Sequence, residues 1–183
     1  MSNFTIVDLA PHMTAEIAQA AALLHWVFAP QDSWATLAEA EKEVSEMLAP
    51  ERILRVAVVD GQIIGWIGGI PGYDGNVWEL HPLVIAPEWQ GQGVGAALVR
   101  DFEALVLAKG GLTIQLGADD VTDATSLSGV NLYEETWEKI RNIRNLRRHP
   151  FEFYRKEEYT IIGVVPDANG RGKPDILMGK RID

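Results

Sequence analysis

The sequence predicts a mixed α/β (α+β) fold in a single domain over residues 1–183, for three reasons. The composition, 47% apolar and 23% charged, is that of a soluble globular protein long enough to bury a core. Segments with the alternation of strands are interspersed with segments that have the apolar period of helices. The chain contains no internal repeat, no low-complexity tract and no linker rich in glycine, serine or proline that would divide it.

The N-terminal part predicts one strand and two helices. Phe4–Leu9 alternates apolar and polar residues, as strands do. Apolar residues then recur at helical spacing after Thr14, a residue type that caps helix N-termini, and Pro30 ends this helix. A second helix is predicted from about Thr36 to Leu48, with an apolar face and an acidic face typical of a solvated surface. The apolar face holds Leu37, Ala40, Val44, Met47 and Leu48, and the acidic face holds Glu39, Glu41, Glu43 and Glu46.

A β-hairpin is the strongest local prediction in the chain. Arg52–Val59 and Ile63–Ile70 are apolar and β-branched, and Asp60-Gly61 between them favours a tight two-residue turn. Pro71–Asn76 is rich in turn-forming residues. Val77–Ile85 then predicts a third long strand.

The C-terminal half predicts further helices and strands. Gly93–Lys109 has a buried apolar stripe and ends at a glycine pair, and Leu132–Leu146 also has helical spacing. Phe151–Arg155 predicts a further short helix. Strands are predicted at Leu112–Leu116, Tyr159–Val165 and Ile176–Lys180.

The charge balance excludes several classes of function. With 26 acidic and 16 basic residues the formal net charge is −10, which argues against nucleic-acid binding and leaves a cationic ligand open. The absence of cysteine excludes disulfide scaffolds, thiolate metal sites and cysteine nucleophiles. No segment has the roughly 18 apolar residues of a membrane span, and Met1–Met13 lacks the features of a signal peptide, so a cytoplasmic protein is expected.

The most informative segment is the glycine-rich turn between the third strand and the following helix. Gly91, Gly93 and Gly95 let the backbone approach a ligand closely, and the unpaired amides of the first helical turn favour an anion such as a pyrophosphate. The sequence has neither a Rossmann fingerprint nor a Walker lysine motif. The alternative is that these glycines only permit a tight turn against the sheet.

The pattern Gln90-x-x-Gly93-x-Gly95, after a strand that ends before Pro87, resembles the acetyl-coenzyme A loop of the GCN5-related N-acetyltransferases (GNAT). The resemblance implies a mostly antiparallel central sheet, flanked by helices, that splays at the acetyl-CoA site and carries a bulge in the strand before the loop. It also implies that the Leu83 amide bonds the thioester oxygen. The implied acetyl-CoA residues are Leu83, Val84, Ile85, Gly91, Gln92, Gly93, Val94, Gly95 and Ala96.

A second segment, Phe153–Tyr159, resembles the Phe-Tyr-x-Lys pattern of the same family, although Glu157-Glu158 replaces the usual Leu-Gly. The resemblance places the Tyr154 phenol beside the coenzyme A sulfur, where a phenol can give a proton to the leaving thiolate. The alternative is a core aromatic residue with a hydrogen-bonded hydroxyl.

From about residue 50 to the C-terminus the sequence is similar to one branch of this superfamily, the aminoglycoside 6'-N-acetyltransferases, whereas the first 45 residues match weakly. The matching segments include Trp78–Val84, Leu116–Asp120 and Asp167–Gly170, and the most distinctive is Asn145–Tyr154. The resemblance implies transfer of an acetyl group from acetyl-CoA to the 6'-amine of an aminoglycoside, which is a polycation, and it implies a homodimer.

Carboxylates near the strands are predicted to bind that cationic acceptor. Glu79, His81 and Leu83 alternate along one strand, so their side chains are expected on the same face. By resemblance, Glu79 orients the 6'-ammonium and takes its proton, directly or through water, and His81 is a second candidate for this role. Asp119 and Asp120 are the other predicted acceptor ligands. The alternatives are a structural histidine for His81 and a loop or cap pair for the two aspartates.

The predicted catalytic residues are therefore Glu79, His81, Leu83 and Tyr154, without a metal. Because the chain has no cysteine, the amine has to attack the thioester directly within a ternary complex. Two other functions remain open: an acetyltransferase of the same fold that acts on a polyamine or a protein amine, and a coenzyme A-binding module without chemistry. The basic segment 139–148 is a solvated helix face, a contact for the coenzyme A 3'-phosphate or a subunit contact, because a nucleic-acid patch would carry interleaved aromatic residues.

Overall fold

Seven strands and five α-helices form along residues 4–183, which are the residues that the computed structural model describes. Of the predicted N-terminal segment Met1–Met13, the first three residues lie outside that range. The strands are β1 (Thr5–Asp8), β2 (Ile53–Val59), β3 (Gln62–Gly72), β4 (Val77–Ile85), β5 (Thr113–Asp119), β6 (Thr160–Val165) and β7 (Asp175–Arg181). The helices are α1 (Thr14–Phe28), α2 (Leu37–Met47), α3 (Val94–Ala108), α4 (Thr136–Arg141) and α5 (Phe151–Lys156).

These elements group into two units. Unit 1 contains the described residues up to Ile114 together with Ile182 and Asp183. Its strands pair antiparallel in the order β1-β2-β3-β4, and α1 to α3 flank them. Unit 2, Gln115–Arg181, contains most of β5, the helices α4 and α5, and the antiparallel pair β6 and β7. The predicted fold class, mostly antiparallel strands with flanking helices, is confirmed. The single domain and the splayed sheet stay predictions.

The hairpin of β2 and β3 forms as predicted. Val59 pairs with Gln62, so the connection is the two residues Asp60 and Gly61. Both have positive φ, 49° and 77°, which is the conformation of the tight turn that matches strand twist.

Two adjacent glycines show how unit 1 is layered. A Cβ on Gly68 would collide with the His81 carbonyl oxygen and with Met47 of α2, and a Cβ on Gly69 would collide with the Phe102 ring of α3. Because neighbouring strand residues point to opposite faces, α2 lies on one face of β3 and α3 on the other. We call these the α1–α2 face and the α3 face, since α1 packs with α2 in one hydrophobic cluster.

Each helical layer is fixed to the strands by polar contacts as well as by apolar packing. On the α1–α2 face, the buried Trp66 Nε1–H donates to the Ala20 carbonyl oxygen at 3.0 Å. Arg55 of β2 forms a bidentate pair with Asp101 of α3, at 2.7 and 3.1 Å, and a third contact at 2.8 Å with Asp8 of β1. The Arg55 guanidinium therefore holds α3 and β1 against β2.

Three local expectations are wrong. Thr14 is the first residue of α1 rather than its cap, which is Met13. Leu37 on the predicted apolar face of α2 is 45% exposed. The predicted helix Leu132–Leu146 is confined to α4, because the chain beyond it turns back. There the Leu146 amide donates to the Ala124 carbonyl oxygen instead of continuing a helix. None of the helices within residues 4–183 is long and apolar enough to cross a bilayer.

Candidate active site

Strand β4, which carries the predicted catalytic residues, is irregular where they lie. Its register with β3 pairs Leu83 with Ile67, but the next pair toward the start of β4 is Leu80 with Gly69. Three steps along β4 therefore match two along β3, which is a β-bulge at His81-Pro82, and the peptide bond between these two residues is cis. The bulge predicted before the glycine-rich loop is confirmed.

Glu79 and Leu83 lie on opposite faces of the strand, contrary to the expectation from simple alternation. Glu79 is opposite Ile70 and Leu83 is opposite Ile67, and two residues three positions apart on β3 face opposite ways. Ile70 packs against the cluster of α1 and α2, so the exposed Glu79 side chain lies on the α1–α2 face. The extra residue of the bulge shifts the alternation by one and turns the Leu83 side chain to the α3 face. The role predicted for Leu83 concerns its backbone amide and stays a prediction.

The His81 imidazole shares the α1–α2 face with Glu79 and contacts two side chains there. Its ring centroid lies 5.7 Å from that of Trp34, and its Nε2 lies 3.7 Å from Glu43 Oε1 of α2. Trp34 Nε1–H donates to the other Glu43 oxygen, Oε2, at 3.3 Å. The His81 side chain is 39% exposed and that of Glu43 is 17% exposed. The His81 imidazole is therefore accessible to solvent while it contacts Trp34 and Glu43, so it is not a core histidine.

Trp34 is fixed beside His81 in a conformation that tryptophan rarely adopts. Its φ of 45° lies in the left-handed region, which costs energy for a bulky residue. The Phe28 ring packs edge-on against the indole at 5.3 Å, and the His25 imidazole bonds the Trp34 carbonyl oxygen at 2.9 Å. Such strained residues recur at functional sites, which makes the surroundings of Trp34 and His81 a candidate for one.

The glycine-rich loop leads from β4 into α3 with open space around it. Gly91 and Gly93 have φ of 73° and 87°, and a Cβ at either would find no atom within 4 Å. Glycine is therefore required at these positions by the left-handed backbone, and not by a lack of space beside the sheet. The first helical hydrogen bond runs from the Ala97 amide to the Gly93 carbonyl oxygen. The amides of Val94–Ala96 therefore precede the hydrogen bonds of the helix. Such a helix end favours an anion.

Two glutamines brace the loop from within. The Gln90 side-chain amide donates to the Ile85 carbonyl oxygen at 3.2 Å, and the Gln92 side-chain amide donates to the Glu88 carbonyl oxygen at 2.6 Å. These bonds tie the loop to the end of β4 and to the turn that precedes it.

In unit 2, the two predicted acceptor carboxylates have different environments. Asp119, at the end of β5, is exposed, and its carboxylate accepts a hydrogen bond from Asn169. Asp120 is fully buried, and its two oxygens accept bonds from Ala124 N–H, Thr125 N–H and Ser128 Oγ–H at 2.6 to 2.8 Å. Burial alone would raise the pKa of Asp120, but the hydrogen bonds outweigh it and lower the pKa. Asp120 therefore organises its own loop, in agreement with the alternative of a loop or cap residue, and an acceptor role for it stays a prediction.

His149, a second buried titratable residue of unit 2, is structural too. Its Nε2 bonds the Asp119 carbonyl oxygen and its Nδ1 accepts the Phe151 amide proton, both at 3.2 Å. Burial lowers the pKa of His149, despite the neighbouring carboxylates, so the imidazole is neutral. With both nitrogens bonded, this ring holds the segment before α5.

Tyr154 lies in α5 with its side chain buried among aromatic rings. The Phe153 and Tyr159 rings pack edge-on against the Tyr154 ring, with centroid distances of 5.0 and 5.8 Å. This packing agrees with the alternative of a core aromatic residue. Burial raises the pKa of the Tyr154 phenol well above its ordinary value, so the phenol keeps its proton at neutral pH. That is the form which a proton donor needs.

The sequence pattern did not single out Glu43 or Trp34. The signal for Glu43 lies in its spacing, because it is three residues after the buried Ala40 and four before the buried Met47, at the edge of the apolar face of α2. Trp34 has no comparable periodic signal, since it lies between helices. Among residues 4–183 no group of three or more histidine, aspartate or glutamate side chains is arranged as a metal site requires.

Comparison with known proteins gives one family and several similar structures. Residues 18–137 match the family described as "Acetyltransferase (GNAT) family". An aminoglycoside 6'-N-acetyltransferase complexed with coenzyme A is 41% identical, with a TM-score of 0.92, over 98% of this chain and 97% of its own. The aminoglycoside 6'-N-acetyltransferase from Enterococcus faecium is 40% identical over the same shares, with a TM-score of 0.91. An aminoglycoside 6'-acetyltransferase type Ii is 35% identical, again over 98% and 97%, with a TM-score of 0.76.

Proposed function

The chain belongs to the GNAT family of acetyltransferases, and from this premise we propose that it transfers the acetyl group of acetyl-CoA to the 6'-amine of aminoglycoside antibiotics. The observation that carries the proposal is the identity of 41% and 40%, over 98% of the chain, to two aminoglycoside 6'-N-acetyltransferases. The net charge of −10 suits a polycationic acceptor, since an acidic surface concentrates positive ligands.

The loop after β4 has the properties that a pyrophosphate requires. Its left-handed glycines have free space beside them, and the amides of Val94–Ala96 precede the first helical hydrogen bond. We assign acetyl-CoA to this loop and to the backbone of Leu83–Ile85, with the Leu83 amide as donor to the thioester oxygen. A donor at that position stabilises the negative charge that builds on the oxygen during attack.

In the transfer step, the neutral 6'-amine nitrogen attacks the thioester carbonyl carbon. A carbon–nitrogen bond forms, the carbon–sulfur bond breaks, and the sulfur leaves as a thiolate that then takes a proton. The amine proton passes to a base, and we assign that base to Glu79, directly or through water, with His81 as the second candidate. Glu79 fits because its carboxylate is exposed on the α1–α2 face, beside His81.

Two residues of unit 2 keep proposed roles. Tyr154 is assigned as the donor of the proton to the thiolate, which its raised pKa supports because the phenol holds its proton. Asp119 is assigned as an acceptor ligand on the ground that its carboxylate is exposed.

Turnover with a panel of acceptors tests the proposed reaction. We expect free thiol to be released from acetyl-CoA with aminoglycosides that carry a 6'-amine and none with matched drugs that carry a 6'-hydroxyl. Release with polyamines or peptide amines, and none with any 6'-amino drug, would establish the alternative acceptor class instead. Coenzyme A binding without release on any acceptor would indicate a binding module.

The assigned residues are tested by conservative variants. Glu79→Gln and Tyr154→Phe are each expected to lower kcat by about 100-fold, which is the lower end of what general acid–base groups contribute. Unchanged turnover in both variants would show that the roles are wrong even if the reaction is right.

We also propose that the protein is a cytoplasmic homodimer, as the resemblance to this branch implies. Sedimentation equilibrium of the purified chain would give twice the monomer mass. A single-chain mass at all concentrations would refute the dimer.

A further inference from the structure

We infer that Glu43 is a positioning residue for His81: it keeps the imidazole proton on Nε2, so that Nδ1 is the nitrogen that can accept a proton from the acceptor amine. The inference deepens the proposed function and rests on it. It assigns a role to a residue of α2, a helix whose acidic side chains otherwise look like a solvated face.

The two Glu43 oxygens face two different groups. Oε2 accepts the Trp34 Nε1–H at 3.3 Å, while Oε1 lies 3.7 Å from His81 Nε2. At 3.7 Å the two atoms are beyond direct hydrogen-bond distance, so Glu43 acts on the ring through its negative charge, which favours a proton on the nearer nitrogen. The Trp34 bond fixes the rotation of the carboxylate, which keeps Oε1 directed at His81.

The environment of Glu43 strengthens this effect. Its side chain is 17% exposed, and a partly buried charge is screened less than one in open water. The acidic neighbours on the same helix are more open, as Glu46 shows with a side chain that is 49% exposed. A carboxylate so placed orients a histidine in the way that the outer partners of other histidine sites do.

The charged group on β4 that shares this face is Glu79. With Nε2–H directed at Glu43, the two groups on β4 have separate tasks: Glu79 meets the ammonium, and Nδ1 of His81 is free to receive a proton. The 39% exposure of His81 gives that nitrogen access to solvent or substrate. The geometry thus gives the second candidate base a defined tautomer.

The first test reads the tautomer without substrate. Protein labelled with nitrogen-15 histidine is examined by NMR at alkaline pH, where imidazoles are neutral, and the His81 signals are assigned with His81→Asn. We expect the Nε2-protonated fraction of His81 to exceed that of free histidine, in which this tautomer already predominates, and Glu43→Gln to return it toward the free-histidine value. A fraction in the unmodified protein that is no higher than that of free histidine would overturn the proposal, whether or not the variant folds.

The second test separates chemistry from binding. Glu43→Gln keeps the size of the side chain, and Glu41→Gln on the exposed face of α2 removes the same charge as a matched control. We expect kcat to fall about 10-fold in the first variant, with KM within about twofold, and no change in the control. A change in KM alone, or equal effects in both variants, would refute the positioning role. If no aminoglycoside is turned over at all, the proposed function fails while the tautomer measurement still stands on its own.

Discussion

The loop after β4 and the loop after β5 treat their polar groups in opposite ways. In the first, the amides of Val94–Ala96 precede the helical hydrogen bonds, and the helix has no side-chain cap. In the second, the Asp120 carboxylate accepts two amides and a hydroxyl from its own loop. Both loops looked like binding segments in the sequence.

The difference separates a binding loop from a structural one. A group left ready for a partner has to be accessible and without an internal bond, whereas a buried carboxylate with three donors is already satisfied. Substitutions should therefore affect ligand binding in the first loop and the free energy of unfolding in the second.

The largest effect is expected for Asp120→Asn. The variant places an amide donor against groups that are themselves donors, at a cost of about 3 kcal/mol in the free energy of unfolding. Chemical denaturation measures this loss, and the KM for the aminoglycoside should stay unchanged in the folded fraction. A raised KM together with unchanged stability would show that Asp120 binds the acceptor, and the two loops would then not differ in the way described.

The contribution of the Asp120 carboxylate should also appear in the pH dependence of the free energy of unfolding. Because the hydrogen bonds hold the pKa of Asp120 below 3.8, its contribution is fully present above that pH and is lost as the pH falls through the lower folded value. Acid unfolding of Asp120→Asn should lack this component, and identical acid limbs in the two proteins would contradict the assignment.

The second prediction uses the two ends of α3. Gly93 and Gly110 have φ of 87° and 81°, and a Cβ at either meets no atom within 4 Å. Gly93→Ala and Gly110→Ala should therefore cost a similar free energy, about 1 kcal/mol each. Only Gly93→Ala should raise the KM for acetyl-CoA, by about 10-fold, because it shifts the amides of the loop. Equal KM values in the two variants would remove the loop from the acetyl-CoA site.

The third prediction concerns His149. Burial holds its pKa below 6.5, so the unfolded chain binds a proton at a higher pH than the folded chain does. Stability should be full above about pH 6.5 and should fall as the pH drops toward the folded value. His149→Gln should cost about 1 kcal/mol at neutral pH, through its two bonds, and should flatten this decline when unfolding is followed from pH 7 to pH 5. A decline of the same slope would place its origin in another group.

The smallest effect is expected for Gln90→Ala. The bond from its side chain to the Ile85 carbonyl oxygen is exposed, so its loss should change stability by about 0.5 kcal/mol. The KM for acetyl-CoA should rise about twofold, since the loop becomes less ordered. A rise as large as that of Gly93→Ala would mean that the side chain itself contacts acetyl-CoA.

Local signals in the sequence predicted the parts of the fold that depend on local chemistry. The turn at Asp60-Gly61 needs two residues with positive φ, and these two residue types supply them whatever the rest of the chain does. The bounds of β4 agree residue for residue with the prediction, since its apolar run ends at Pro87.

Contacts between distant segments account for the errors. The face of Leu83 depends on a bulge that exists only in the pairing of β4 with β3. The helical spacing of Leu132–Leu146 loses to hydrogen bonds with the segment around Ala124. Glu43 was missed for the same reason, since its partner His81 lies on another element. Asp120 is different: its donors are only four to eight residues away, and the folded shape of its own loop brings them to the carboxylate.

The glycine pair of β3 bears on how drug preference can evolve in such a protein. Any side chain at Gly68 would meet the bulge and Met47, and any side chain at Gly69 would meet the Phe102 ring. Substitutions at these two positions should therefore be destabilising through overpacking, and selection for a new antibiotic should act elsewhere. Adaptive variants are expected instead at the exposed positions of α1 and α2 and in the segment between them, where a changed side chain does not disturb the core beneath the strands.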